Sequence, residues 1–114
     1  MVAEMNADEM LEVMIRFDFK CALTDSTDVH IDHWFPKKYG GLITVDNAYP
    51  LDATLNERKS AGNPFEFFER DDIRKLYPKD RFEDLVFWLA LNNNMTVDEF
   101  RDYTNNLYAS SQLE

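Results

Sequence analysis

One stretch of the sequence, residues 29–60, holds several polar side chains that can take part in hydrolytic chemistry. In chain order they are Asp32, His33, Asn47, Asn56 and Lys59. A carboxylate is a hard ligand for a divalent cation such as magnesium, and an imidazole can accept a proton near neutral pH. An amide oxygen can ligate a metal ion or hold a loop, and an ammonium can neutralise negative charge on a substrate.

Together these groups suit the hydrolysis of a phosphodiester bond. His33 would deprotonate the attacking water. A cation on Asp32 would neutralise charge on the phosphate and on the leaving 3′ oxygen, and Lys59 would place a positive charge on a non-bridging oxygen. The Asp-His pair alone is weak evidence because that dipeptide is common. The hypothesis therefore depends on the whole set and its spacing.

The spacing resembles that of a known family. The same stretch and its surroundings also contain Pro36, Gly40-Gly41, Pro50-Leu51 and Asn63-Pro64-Phe65. With these residues the set resembles the HNH endonucleases of the ββα-metal fold, over about residues 19–68. The intervals from His33 to Asn47 and from Asn47 to Asn56 are similar to those in the HNH domain of RNA-guided CRISPR effectors, and Lys59 is in register.

The resemblance implies a role for each of the five residues. It implies that Asp32 and Asn56 are the protein ligands of one divalent metal ion, Mg²⁺ above all, with Mn²⁺ or a crystallographic Zn²⁺ as substitutes. His33 would be the general base, and Asn47 would hold the loop so that the His33 ring is correctly aimed. Lys59 would be a further catalytic residue.

Neighbouring residues have a weaker claim to a role. His30 lies on the same strand face as Asp32, where it is either an auxiliary ligand or a surface histidine. Lys37, Lys38 and Arg58 are either contacts to DNA phosphates or ordinary surface charges. The aromatic residues Trp34, Phe65, Phe67 and Phe68 are expected in the core rather than in a substrate site.

Composition and charge limit the other possibilities. With 114 residues and 45% hydrophobic residues, the chain is long and apolar enough for a single domain, residues 1–114, around one core. The net charge of -10 argues against nucleic-acid binding by the chain as a whole. However, residues 29–81 carry as many bases as acids, and the acidity lies in the two flanks. A local basic face in the middle is therefore compatible with this composition.

The single cysteine and the terminal sequence predict a cytoplasmic protein. Many HNH nucleases carry two CxxC motifs that bind structural zinc, whereas this chain has only Cys21. We therefore expect no structural zinc, and an aromatic core in its place. No apolar stretch has the length of a membrane span, and the acidic N-terminus does not resemble a secretory signal.

The expected fold class is α+β, with a ββα-metal core at about residues 19–62 flanked by helices within residues 6–18 and 65–112. Strands are predicted at residues 19–23, 29–33 and 43–51, the last interrupted at Asp46-Asn47. Asp52 is the predicted N-cap of a short helix that ends near Ser60. Residues 65–76 are predicted to form one further helix.

Three pairs have the spacing of a helix capping box, in which two residues cap each other's backbone N–H groups. They are Asn6 with Glu9, Asp80 with Glu83, and Thr96 with Glu99. Each precedes or overlaps a run of apolar residues at helical spacing, so each predicts the start of a helix.

The sequence therefore predicts a metal-dependent DNA endonuclease, with RNA as an alternative substrate. One site cuts one strand, so a monomer should nick DNA and a homodimer should cut both strands. The competing hypothesis is a non-catalytic or weakly active module of the same fold that acts within a larger protein assembly through its acidic helical flanks.

Overall fold

The computed structural model describes residues 5–35 and 44–112, which form an α+β fold with one two-stranded antiparallel sheet and helices around it. The elements are α1 (Ala7–Arg16), β1 (Val29–His33), β2 (Ala48–Asp52), α2 (Ala53–Lys59), α3 (Pro64–Phe68), α4 (Asp71–Arg74), α5 (Lys79–Asn92) and α6 (Val97–Gln112). None of the helices in these ranges is both long and apolar enough to cross a membrane.

Strands β1 and β2 and helix α2 form one continuous unit. The two strands pair so that Asp32 lies opposite Tyr49 and His33 lies opposite Ala48. Helix α2 follows β2 without an intervening loop, because the Asp52 carboxylate accepts hydrogen bonds from the backbone N–H groups of Thr54 and Leu55 at 3.0 and 3.1 Å. The predicted strand at 29–33 and the predicted cap at Asp52 are thus confirmed.

The strand predicted at residues 43–51 needs a small correction. Val45–Asn47 forms a 3-10 turn, and β2 begins only at Ala48. The residues before the interruption expected at Asp46-Asn47 therefore do not belong to the strand, as far as they are described. Ile43, the expected start of that strand, lies outside the described residues.

The strand predicted at residues 19–23 is wrong. Asp18 and Phe19 have φ values of 57° and 59°, in the left-handed region, which breaks an extended backbone. The carbonyl groups of Cys21 and Thr24 accept hydrogen bonds from the Arg81 guanidinium at 3.0 and 3.1 Å, so a side chain rather than a neighbouring strand satisfies them.

The helical predictions hold at both ends of the chain. The capping boxes of Asn6 with Glu9 and of Thr96 with Glu99 are both present as reciprocal hydrogen bonds. Helix α1 has the predicted start, and it ends at Arg16, next to the predicted Phe17.

The helical predictions in the middle need correction. The helix predicted over residues 65–76 is two short helices, α3 and α4, separated at Glu69 and Arg70. The predicted capping box of Asp80 with Glu83 is wrong. Helix α5 begins at Lys79, two residues before the start that a cap at Asp80 would give, and its N-cap, Pro78, has no side-chain donor or acceptor. Asp80 lies inside the first turn.

The core is centred on Trp34, the residue that follows β1. Its side chain is fully buried, and its ring lies 5.2 Å from that of Phe65 and 5.4 Å from that of Phe100, centroid to centroid. The indole N–H donates to the Thr104 hydroxyl at 3.1 Å, and the Trp34 carbonyl accepts from the Tyr108 hydroxyl at 2.8 Å. The core expectation for Trp34 and the three phenylalanines Phe65, Phe67 and Phe68 is confirmed.

Replacing the acceptor for this indole should destabilise the whole fold. Thr104 is fully buried, and Thr104→Val keeps its shape while leaving the Trp34 N–H without a partner. We expect the free energy of unfolding to fall by about 1–3 kcal/mol, the cost of an unsatisfied buried donor. Urea unfolding followed by circular dichroism measures this change.

The matched control is Thr54→Val, which makes the same substitution at an exposed residue in the first turn of α2. A loss at Thr104 no larger than the loss at Thr54 would show that the bond to Trp34 contributes nothing to stability.

Candidate active site

The Asp32 carboxylate is the centre of a buried polar cluster between the hairpin and α2. Its Oδ2 atom lies 3.0 Å from the Lys59 ammonium nitrogen and accepts a hydrogen bond from the Tyr49 hydroxyl at 2.7 Å. The Lys59 side chain is only 1% exposed and that of Asp32 is 18% exposed. The ion pair is therefore sheltered, with the carboxylate still reachable from solvent.

Lys59 reaches Asp32 because of where α2 begins and which side of it is buried. The Asp52 cap sets the first turn directly at the end of β2, and Leu55 and Lys59, one helical turn apart, form the buried face. A buried ammonium group is stable only when it is paired. The carboxylate at the facing position of β1 supplies that partner.

Tyr49 belongs to the cluster although nothing in the sequence singled it out. It is fully buried and lies directly opposite Asp32 in the strand register. Burial, and then the nearby Asp32 carboxylate, raise the pKa of the Tyr49 phenol well above its usual value. The phenol therefore stays protonated and acts as a hydrogen-bond donor to Asp32. Only the strand register could have revealed it.

His33 points to the other face of β1, as alternation along a strand requires. Its Nε2 atom lies 3.3 Å from the sulfur atom of Met5, which precedes α1. Burial lowers the pKa of the His33 imidazole, and the charge of Asp32 partly opposes that change. The ring is therefore neutral at pH 7 and has the protonation state that a general base needs.

Asn47 is held tightly beside the end of β1. Its carbonyl accepts the backbone N–H of Trp34 at 2.9 Å, and its side-chain amide bonds to Asn93 at 3.0 Å and to Thr44 at 3.4 Å. The residue after His33 is thereby attached to the start of β2. This geometry fits a positioning role for Asn47, because it restrains the backbone that carries the imidazole.

The remaining candidates divide into three groups. Asn56 is half-buried on α2, one turn before Lys59, and its amide makes no hydrogen bond to any residue that the structure describes. His30 is exposed, and Arg58 is exposed and lies 3.4 Å from Asp72. Lys37 and Lys38 lie outside the described residues.

The donor set at Asp32 fits a weakly held divalent cation. Across residues 5–35 and 44–112, no three His, Cys, Asp or Glu side chains gather as a metal-binding group. A cation here would instead rest on one carboxylate oxygen, Oδ1 of Asp32, and on water, and the Asn56 amide on α2 is the second protein ligand that the resemblance implies. Hard oxygen ligands with several waters are the coordination that Mg²⁺ prefers. The nearby Lys59 ammonium opposes this binding by charge repulsion.

Comparison with known proteins finds no family model, no curated protein and no solved structure that matches this chain.

The ion pair between Asp32 and Lys59 should contribute measurably to stability. Lys59→Met keeps the apolar stem but removes the charge, so the sheltered carboxylate retains only Tyr49 as a partner. We expect the free energy of unfolding to fall by about 1–3 kcal/mol, as for a buried group that loses one partner. Urea unfolding at pH 7 measures it.

The matched control is Arg58→Met, which removes the adjacent cation of α2, one that is 44% exposed. Its effect should stay within about 0.5 kcal/mol. Combining Lys59→Met with Asp32→Asn tests the pairing itself, because partners in one ion pair give non-additive losses. Fully additive losses would contradict a direct interaction.

Proposed function

We propose that this chain is a metal-dependent endonuclease of the HNH type that hydrolyses phosphodiester bonds in DNA. The observation that carries the proposal is the hairpin followed directly by α2, with Asp32 on β1 against Lys59 on α2 and His33 next to Asp32. The order of elements supports the proposal, because the ββα-metal resemblance implies a hairpin followed by a short helix.

The neutral imidazole of His33 is the group that removes a proton from the attacking water. As the water oxygen bonds to phosphorus, the bond from phosphorus to the 3′ oxygen breaks. The departing 3′ oxygen takes a proton from solvent water, and His33 returns its proton to solvent, so the products are a 5′-phosphate and a 3′-hydroxyl. The restraint by Asn47 on the backbone after His33 limits the freedom of the ring, which favours a fixed direction for proton transfer.

Asp32 and Asn56 are the residues that would hold a divalent cation. When bound, such a cation supplies positive charge to the phosphate and to the departing oxygen. Lys59 is bound to Asp32 rather than free, so its first role here is to hold that carboxylate in place.

The outer edge of β1 is the proposed place where a substrate meets both the Asp32 carboxylate and the His33 imidazole. The described sheet has only two strands, so no strand among the described residues lies beside the edge of β1 away from β2. His33, on one face, and Asp32, on the other, are adjacent on that edge. The proposed phosphate position is this edge, beside residues 32 and 33.

A second candidate function is a non-catalytic module of the same fold within a larger assembly. Three contacts favour it. Asp32 already has two partners, Lys59 and Tyr49, and the Nε2 atom of His33 faces the Met5 sulfur at 3.3 Å. Both groups would have to exchange a partner before reacting.

Nicking of supercoiled plasmid DNA distinguishes the two functions. With Mg²⁺ or Mn²⁺ we expect the protein to nick, and with a chelator we expect no cleavage. His33→Ala should lower the rate at least about 100-fold, because general-base catalysis contributes about 10²–10⁴-fold. Asp32→Ala should remove the dependence on metal concentration together with the activity.

Asp28→Ala is the matched control, since it removes an exposed carboxylate just before β1 and should leave the rate unchanged. Metal-independent cleavage, or equal rates for the wild type and His33→Ala, would contradict the proposed mechanism. No cleavage by any form would favour the non-catalytic module.

A further inference from the structure

Tyr49 holds its hydroxyl group at a fixed point beside the Asp32 carboxylate. The residue is fully buried, its ring lies 6.2 Å from that of Trp34, and its backbone pairs directly with that of Asp32. A phenol ring has few rotatable bonds, and here both the sheet and the core restrain it. The direction of the hydrogen bond to Asp32 is therefore set by the fold.

The two partners of Asp32 use the same oxygen atom. Both the Tyr49 hydroxyl and the Lys59 ammonium lie against Oδ2, at 2.7 and 3.0 Å. The Oδ1 atom accepts no hydrogen bond from any residue in the described part of the chain. Since the carboxylate is 18% exposed, Oδ1 is the oxygen with free lone pairs for a ligand.

The two partners restrain the carboxylate differently. The ammonium is a point charge with three donors, so its attraction to the carboxylate depends little on direction. The phenol donates one directed hydrogen bond from a fixed point, because its ring is packed. Tyr49 is therefore the partner that selects one orientation of the Asp32 carboxylate.

We propose that Tyr49 is a positioning residue of this site, which holds Asp32 by Oδ2 so that Oδ1 is presented to a divalent cation. The inference rests on the proposed function, since it concerns the same cation. Hydrogen bonds to the ligands of a metal ion orient those ligands, and losing one weakens metal binding by about 10–100-fold.

The test is the binding of Mn²⁺ to the full chain, read as the loss of the free-ion signal in electron paramagnetic resonance. This readout needs no substrate and no catalytic activity. Tyr49→Phe keeps the ring and removes only the hydroxyl, and we expect Mn²⁺ affinity to fall about tenfold. Circular dichroism confirms that the variant is folded at the temperature of the titration.

The matched control is Tyr77→Phe. The Tyr77 hydroxyl donates to the Phe68 carbonyl at 2.6 Å, so this variant also removes one buried tyrosine hydroxyl bond, at the junction of α4 and α5. Mn²⁺ affinity should not change in it. A change of similar size in both variants would indicate a general loss of stability and would overturn the positioning role.

A double-variant cycle links the effect to Asp32. Asp32→Asn should itself weaken Mn²⁺ binding, and adding Tyr49→Phe should then change little, because the two act through one carboxylate. Additive effects would overturn the inference, because they would show that Tyr49 affects Mn²⁺ binding independently of Asp32. If Tyr49→Phe acted only by altering the packing, its effect on Mn²⁺ affinity would persist in the Asp32→Asn background, so the same cycle detects that case.

The outcomes separate this inference from the proposed function. If the wild type binds Mn²⁺ through Asp32 and Tyr49→Phe binds it equally well, only the inference fails. If the wild type binds no Mn²⁺, or Asp32→Asn leaves its affinity unchanged, the proposed metal site fails and the inference fails with it.

Discussion

The burial of Trp34 is the interaction on which the rest of the structure depends. One residue joins β1 to two helices, α3 and α6: its ring packs on Phe65 and Phe100, its N–H binds Thr104, and its carbonyl binds Tyr108. The hairpin by itself would be marginal, because an isolated pair of strands has too little buried surface. Anchoring the end of β1 in the helical core is what makes the hairpin a rigid support for the residues just before it.

The second constraint is electrostatic and concerns the face of the hairpin that α2 covers. Lys59 is buried and Asp32 nearly so, which is tolerated only because they are paired and Tyr49 adds a hydrogen bond. Breaking the pair would leave a sheltered charge, so α2 cannot shift along the hairpin without cost. The same contact that stabilises this packing therefore restrains the carboxylate to which the proposed metal site belongs.

The local parts of the fold were predictable, and the reason is chemical. Capping boxes at Asn6 and Thr96 and the cap at Asp52 act over two or three residues, so the sequence alone indicates them. The predictions that were wrong depended on distant partners. Residues 19–23 have the composition of a strand, but Arg81, far along the chain, donates hydrogen bonds to the carbonyl groups of Cys21 and the nearby Thr24. The break between α3 and α4 likewise accompanies the bond from Tyr77 back to Phe68.

The sequence by itself determined the candidate side chains, their order, and a hairpin followed by a short helix. Only the tertiary structure decided which of them meet: Lys59 with Asp32, His33 with Met5, and Asn47 with Asn93. It also added Tyr49, which no spacing indicated. The physical reason is the strand register. A long connection between β1 and β2 leaves the register open, and a shift of one residue turns every side chain to the other face. Packing around Trp34 and the Asp32–Lys59 pair select the register in which Tyr49 faces Asp32.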